Sequence, residues 1–230
     1  MKFGLIADIH GNNIALAAAL RMLDGQVDHI VFLGDICGYY PFVNECIEML
    51  RVRQVIGIRG NHDQVLIDCL ATGKPPADEY RARYGSALDR AMQVLSDSAL
   101  KFLHSWPTQR ELLVESRAIL ATHGAPWDSL EGRVYPDFEN WSRFDPYMAD
   151  ICLLGHTHYP LVKHHHNKLI ANPGSVGQAR DRAGEASYGI LDVITNEVML
   201  HRVPFNPEIL ICDARKHDPN LPYLERVLTR

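Results

Sequence analysis

An α/β architecture is expected from three features of this 230-residue chain. Up to Gly60, short apolar runs alternate with helical patterns. Each apolar run stops at a polar loop carrying Asp, Asn or His. The C-terminal half instead alternates apolar and polar residues, as antiparallel strands do.

The elements follow in order. Residues 3–7 (Phe-Gly-Leu-Ile-Ala) are apolar on both faces and end at Asp8, as a buried strand does. Alanines and leucines at helical spacing occupy 13–23. A second strand over 29–33 ends at Gly34-Asp35, a helix follows over 42–52, and a third strand over 54–58 ends near Gly60-Asn61. This β–α–β–α–β order implies parallel strands with right-handed crossovers. From Gln64 to Ser105 the pattern is helical, interrupted by Gly73-Lys74-Pro75-Pro76. Residues 110–114 and 117–122 read as a hairpin whose second strand ends at His123. Residues 151–154 are another buried strand, ending at Gly155-His156, and 160–172, 186–193 and 197–203 alternate as antiparallel strands. Pro204, Pro207, Pro219 and Pro222 mark a tail over 204–230, expected to lie on the surface. The chain is read as one domain, 1–230, with a core over about 1–203.

Composition narrows the function. The chain is 47% hydrophobic, enough for a sizeable core. Its net charge is −5 and no Lys/Arg block occurs, which disfavours long nucleic acid as a partner. A small phosphate ester held by metal ions remains compatible. Five cysteines without CxxC spacing argue against a disulfide framework and a thiolate zinc site. No apolar run has the ~20 residues of a membrane helix, and the N-terminus lacks a signal-peptide core. No membrane association and a cytoplasmic location are expected.

Asp8, Asp35, Asn61, His123 and His156 all fall at the C-terminal ends of expected strands, where open α/β sheets bind ligands. With His10 and His158 they form a donor set of carboxylate, imidazole and amide oxygen. Two divalent ions about 3.5–4 Å apart would clamp a phosphoryl group. Asp35 is the expected bridge; Asp8, His10 and His158 complete one ion, and Asn61, His123 and His156 the other. Such donors suit Mn, Fe, Zn, Co or Ni better than Ca, and manganese is placed first. His62 is read as a catalytic imidazole that stabilises phosphate charge or protonates the leaving oxygen. Asp63 either fixes the His62 tautomer or caps the helix that follows. Asn12 either donates to a phosphate oxygen or caps the helix from 13. Tyr39 and Tyr40 are placed at the cleft, and Trp127 and Trp141 at its flank or in the core. His164, His165 and His166 are read as exposed strand or turn.

The blocks Asp8-Ile9-His10, Gly34-Asp35, Gly60-Asn61-His62-Asp63, His123-Gly124 and Gly155-His156-Thr157-His158 resemble, in type and order, those of the calcineurin-like metallophosphoesterase superfamily. The likeness is to its small bacterial and archaeal phosphodiesterase branch and runs from Met1 to about Val203. It implies a four-layer αββα sandwich with two mixed sheets flanked by helices. It also implies a dinuclear centre and in-line attack by a metal-bound hydroxide. The implied ligands are Asp8, His10, Asp35 and His158 on one metal, and Asp35, Asn61, His123 and His156 on the other, with His62 catalytic. Some relatives have Cys in place of His62, so His here points to general-acid chemistry and hence to diester or poor-leaving-group substrates. Relatives often have Gly at the position of Tyr40, whose ring is expected to narrow the cleft. Pro173-Gly174-Ser175-Val176-Gly177 resembles a family turn beside the site. Arg180, just after it, is read mainly as a solvated surface residue, with substrate contact as the alternative. A monoester or phosphoprotein phosphatase is the second reading, and a metal-free partner-binding scaffold the third.

Overall fold

Strand and helix alternate because buried faces alternate. In the computed structural model, which describes residues 1–229, the chain opens with β1 (Lys2–Ile6), α1 (Asn13–Leu23), β2 (His29–Phe32), α2 (Val43–Arg51) and β3 (Ile56–Gly57). Four helices follow: α3 (Asn61–Thr72), α4 (Asp78–Tyr84), α5 (Ala87–Val94) and α6 (Asp97–His104). Then come β4 (Gln109–Val114), β5 (Arg117–Thr122), a short 3-10 helix (Trp141–Phe144), β6 (Ile151–Leu153), β7 (Pro160–His165), β8 (Lys168–Pro173), β9 (Glu185–Asp192) and β10 (Glu197–Pro204). Two helices close the chain, α7 (Glu208–His217) and α8 (Tyr223–Thr229).

The strands form two mixed five-stranded sheets, ordered β10-β9-β1-β2-β3 and β4-β5-β6-β8-β7. In the first, β1, β2 and β3 run parallel and β9 is antiparallel to β1. In the second, β5, β6 and β8 run parallel, flanked by antiparallel β4 and β7. The period-2 alternation of a strand assigns the layers. Phe3, Leu5, Val31 and Leu33 meet Ile119, Ala121, Ile151, Leu153, Leu169 and Ala171 between the sheets. Ile6, Ile30 and Phe32 turn the other way, onto helices α1, α2, α3, α5 and α6.

Helix α1 shows why the sequence takes this form locally. Asn12 caps it, its side-chain oxygen accepting from Ala15 N at 2.9 Å. Leu16, Ala19, Leu20 and Leu23 recur at helical spacing and are buried against the first sheet. Each buried leucine contributes roughly 1.5–3 kcal/mol relative to exposure. The outer face of the second sheet (Leu120, Cys152, Leu161, Ile170) is covered by the segment 125–149, around Val134 and Phe144. Trp127 and Trp141 belong to this layer; the Arg143 guanidinium lies 3.8 Å from the Trp127 ring centre.

The C-terminal stretch departs from expectation. It is not a surface tail: Leu210, Ala214, Leu224, Val227 and Leu228 are buried in a cluster with Tyr39 and Tyr40. The apolar spacing is helical within α7 and α8, but each helix is short and a proline-bearing turn separates them, so the periodicity is weak in sequence. Tyr40 is also placed differently. It is 1% exposed, its hydroxyl donates to Leu224 O at 3.0 Å, and it does not narrow the cleft. All five cysteines are free, and four of them are buried.

Candidate metal centre

The parallel strands of both sheets deliver their C-terminal ends to one rim. Asp8 follows β1, Asp35 follows β2, Asn61 opens α3 after β3, His123 follows β5, and His156 and His158 follow β6. Four of these residues and His10 hold left-handed backbone: Asp8 (φ 53°), His10 (52°), Asp35 (63°), His156 (66°) and His158 (63°). Such angles cost a non-glycine residue about 1 kcal/mol or more each, so the surroundings must hold them. They do so by tying the loops together. Asp8 N donates to Gly34 O at 2.9 Å, His10 N to Asp35 O at 3.0 Å, and Gly11 N to Ile36 O at 2.7 Å. The turn at 173–177 clamps the same loop: Ser175 Oγ donates to Asp8 O at 2.7 Å and Gly177 N to Asp8 O at 3.0 Å.

Asp63 fastens the Asp35 loop. Its carboxylate accepts from Asp35 N (2.8 Å), Ile36 N (2.9 Å), Cys37 N (3.2 Å) and Gly60 N (2.9 Å). Asp63 therefore caps α3 and holds the backbone of the Asp35 loop. The His62 ring turns elsewhere, its Nδ1 lying 2.5 Å from the Tyr80 hydroxyl.

Three imidazoles are oriented by backbone carbonyls. His10 Nδ1 lies 2.8 Å from Cys37 O, His123 Nδ1 2.7 Å from Leu33 O, and His158 Nδ1 2.9 Å from Gln178 O. A carbonyl can only accept, so each Nδ1 carries a hydrogen, and the neutral rings of His10 and His158 present a bare Nε2. These nitrogens converge. His10 Nε2 and His158 Nε2 are 3.0 Å apart, and His123 Nε2 is 3.1 Å from Asn61 Oδ1 and 3.2 Å from Asp35 Oδ2. Asp8 Oδ1 lies 3.6 Å from His158 Nε2, while its Oδ2 is buried with no hydrogen-bond partner. The bare nitrogens of His10 and His158 face each other as acceptors, and acceptors facing acceptors repel unless a cation stands between them. The donor set fits divalent ions on this ground.

The donors form three overlapping groups, Asp8 with His10 and His158, Asp35 with His123 and His156, and Asp35 with His10 and His62; within each, the donor atoms lie within 4.8 Å of one another. Asp35 Oδ2 lies 3.9 Å from His10 Nε2 and 3.2 Å from His123 Nε2, between the groups. Burial pushes His10 and His156 down to about 3 and His158 well below the usual imidazole value, keeping all three neutral. Burial also pushes Asp8 up to about 8, aided by the Asp35 charge and opposed by His123. His123 goes the other way, up to about 10: burial resists the shift, and the Asp35 carboxylate beside it prevails. Asp35 is held well below the carboxylate range, burial notwithstanding, by His123 and His62.

Above this cluster lies a cleft of about 300 Å³. Asp35, Asn61, His62, His156 and His158 form its floor side, and Tyr39, Tyr84, Tyr223, Arg83, Arg133 and Arg180 line the rest.

The calcineurin-like phosphoesterase superfamily domain matches residues 1–196. The chain belongs to the calcineurin-like phosphoesterase superfamily. An uncharacterized protein of Methanocaldococcus jannaschii is 31% identical over 224 residues, covering 88% of this chain and 87% of its own length. A crystal structure of a metallophosphoesterase from Sphaerobacter thermophilus is 30% identical, covers 100% of this chain and 98% of its own, and superposes with a TM-score of 0.77. A Pyrococcus horikoshii protein at 24% identity shares the fold, with a TM-score of 0.80 over 99% of this chain and 97% of its own. The superfamily is metal-dependent, and the clustered His and Asp groups of this phosphoesterase are of the kind that bind metal.

Two expectations for this phosphoesterase change. Asn12 cannot serve a phosphate: its oxygen caps α1 and its amide donates to Gly177 O at 2.9 Å, and it is fully buried. Arg180 is not a solvated surface residue but a half-buried one that lines the cleft. Tyr39 reaches the cleft as expected, while His164 and His166 are exposed at the β7–β8 hairpin. A further group there, Asp145 with His165 and His166, is solvent-facing. Sequence reasoning missed Tyr80, Arg83, Tyr84, Arg133 and Tyr223. The one available signal was the Tyr80/Tyr84 spacing, which puts two rings on one helical face.

Proposed function

We propose that this phosphoesterase hydrolyses phosphodiester bonds of a small molecule. Asp8, His10, Asp35 and His158 would hold one divalent cation, and Asp35, Asn61, His123 and His156 a second, with manganese the first choice. The observation that carries the reading is the pair of bare nitrogens on His10 and His158, 3.0 Å apart beside two buried carboxylates. Bound cations would supply Lewis-acid polarisation of the phosphoryl oxygens and a lowered water pKa.

The chain's own residues do the rest. Arg83, Arg133 and Arg180 bring positive charge to a cleft that must hold a phosphate. His62 lines the same cleft and offers an N–H to the leaving oxygen. That offer matters most for an unactivated alkoxide leaving group. The five free thiols favour the cytoplasm as the place of action, and no helix among the described residues is long and apolar enough to cross a membrane.

The test is turnover of matched diester and monoester model substrates by purified, manganese-loaded protein, with metal counted by elemental analysis. Diester turnover with two metals per chain is expected. Faster monoester turnover would move the assignment to a phosphatase.

A further inference from the structure

His62 is held by an unexpected partner. Its Nδ1 lies 2.5 Å from the hydroxyl of Tyr80, on α4, and this is the Tyr80 hydroxyl's contact to the site. On the Asp35 loop the residue beside Nδ1 is Gly38, which has no side chain to offer it. Gly38 has φ +139°, and a Cβ built on it would lie 2.6 Å from His10 Nδ1 and 3.1 Å from His62 Nδ1. The nearby carboxylate of Asp63 is spent on backbone N–H groups. The rings of Tyr84 and Tyr39 pack on His62 at centroid distances of 4.6 and 5.4 Å, and Tyr84 sits one turn beyond Tyr80 on the same face of α4.

The chemistry of the partner decides what the ring can do. A carboxylate can only accept, so a neutral imidazole beside it carries its hydrogen on Nδ1 and shows a bare Nε2 to the cleft. A phenol both donates and accepts. It can donate to the bare Nδ1 of a neutral ring, or accept from the Nδ1–H of a charged one. In those two states Nε2 keeps its hydrogen, whereas a neutral ring donating from Nδ1 to the phenol would leave it bare. We propose that Tyr80 is the positioning residue of His62, its hydroxyl holding the ring with Nε2–H directed at the cleft. The catalytic consequence rests on the reading of His62 as donor to the leaving oxygen; the tautomer itself does not.

Tyr80→Phe removes the hydroxyl and keeps the ring. The nitrogen-15 spectrum of zinc-loaded protein, with the His62 signals assigned by their loss in His62→Gln, reads the tautomer directly. A protonated Nε2 in the parent and a partly bare Nε2 in Tyr80→Phe are expected. In turnover, kcat for a diester with a poor leaving group should fall about 10- to 100-fold with KM unchanged, and less for an activated diester. A bare Nε2 in the parent, or a tautomer unmoved by the substitution, overturns the proposal. A moved tautomer with both diesters turned over at the parent rate overturns the role of Tyr80 in catalysis. A parent protein inactive on every diester would refute the phosphodiesterase reading instead, and the spectrum would still decide whether Tyr80 holds His62.

Discussion

Asp63→Asn isolates how Asp35, the proposed bridge, is held. Four backbone N–H groups, of Asp35, Ile36, Cys37 and Gly60, point at the Asp63 carboxylate at 2.8–3.2 Å. Asparagine keeps one acceptor oxygen. Seated on Ile36 and Cys37, it sets its NH2 against the N–H groups of Asp35 and Gly60. Two buried donors then lose their acceptor, at about 1–3 kcal/mol each, or about 2–6 kcal/mol together. That is a large part of the roughly 5–15 kcal/mol that holds a domain folded. With an m-value of about 2–3 kcal/mol/M, the urea midpoint should fall by about 0.7–3 M at unchanged slope. The freed 35–37 backbone should also let Asp35 leave its place between His10 and His123, so metal content should fall for both positions. Urea unfolding followed by circular dichroism, with elemental analysis of the same sample, reads both effects. An unchanged midpoint with full metal content would refute the claim that Asp63 holds the bridge.

Three further outcomes follow from the same geometry. Asp35→Asn should lower metal content at both positions, because one oxygen, Oδ2, faces both donor groups; loss of a single equivalent by elemental analysis would assign Asp35 to one side only. Adding manganese to chelator-stripped protein should raise the melting temperature by about 5–10 °C at a hundredfold excess over Kd, since the cation relieves facing acceptors and the orphaned Asp8 Oδ2; an unmoved melting curve would contradict the fit. Gly177→Ala should destabilise by about 3 kcal/mol or more in chemical unfolding, because the new Cβ would meet Ile9 O at 1.8 Å and push the Asp8 loop off its clamp; a parent-like midpoint would show that the turn can yield.

Much of the candidate site was readable because its signals are local. Asp8, Asp35, Asn61, His123 and His156 each close an apolar run, and that run is a strand in the structure. The helix at 13–23 and its Asn12 cap were legible for the same reason: cap, apolar spacing and length lie within a dozen residues. Asn12 also shows the limit. Its type allowed two roles, and only the Gly177 carbonyl, 165 residues away, decided between them. Tyr40 was misjudged in the same way, since its hydroxyl partner, Leu224, lies 184 residues downstream.

Residue type and spacing in the chain determined the donor set, the strand ends that carry it and the likeness to a metal-dependent superfamily. Packing determined the surroundings of that set: Tyr80 on the His62 ring, Asp63 under the Asp35 loop, three arginines and three tyrosines around the cleft, and a C-terminal segment folded over Tyr39 and Tyr40. The division has a physical cause. Hydrophobic periodicity and turn chemistry act over a few residues and leave their mark in order along the chain. Contacts between α4, the 125–149 segment and the C-terminal helices arise only when two sheets and their covering layers are pressed together, and nothing in the local pattern of either partner names the other.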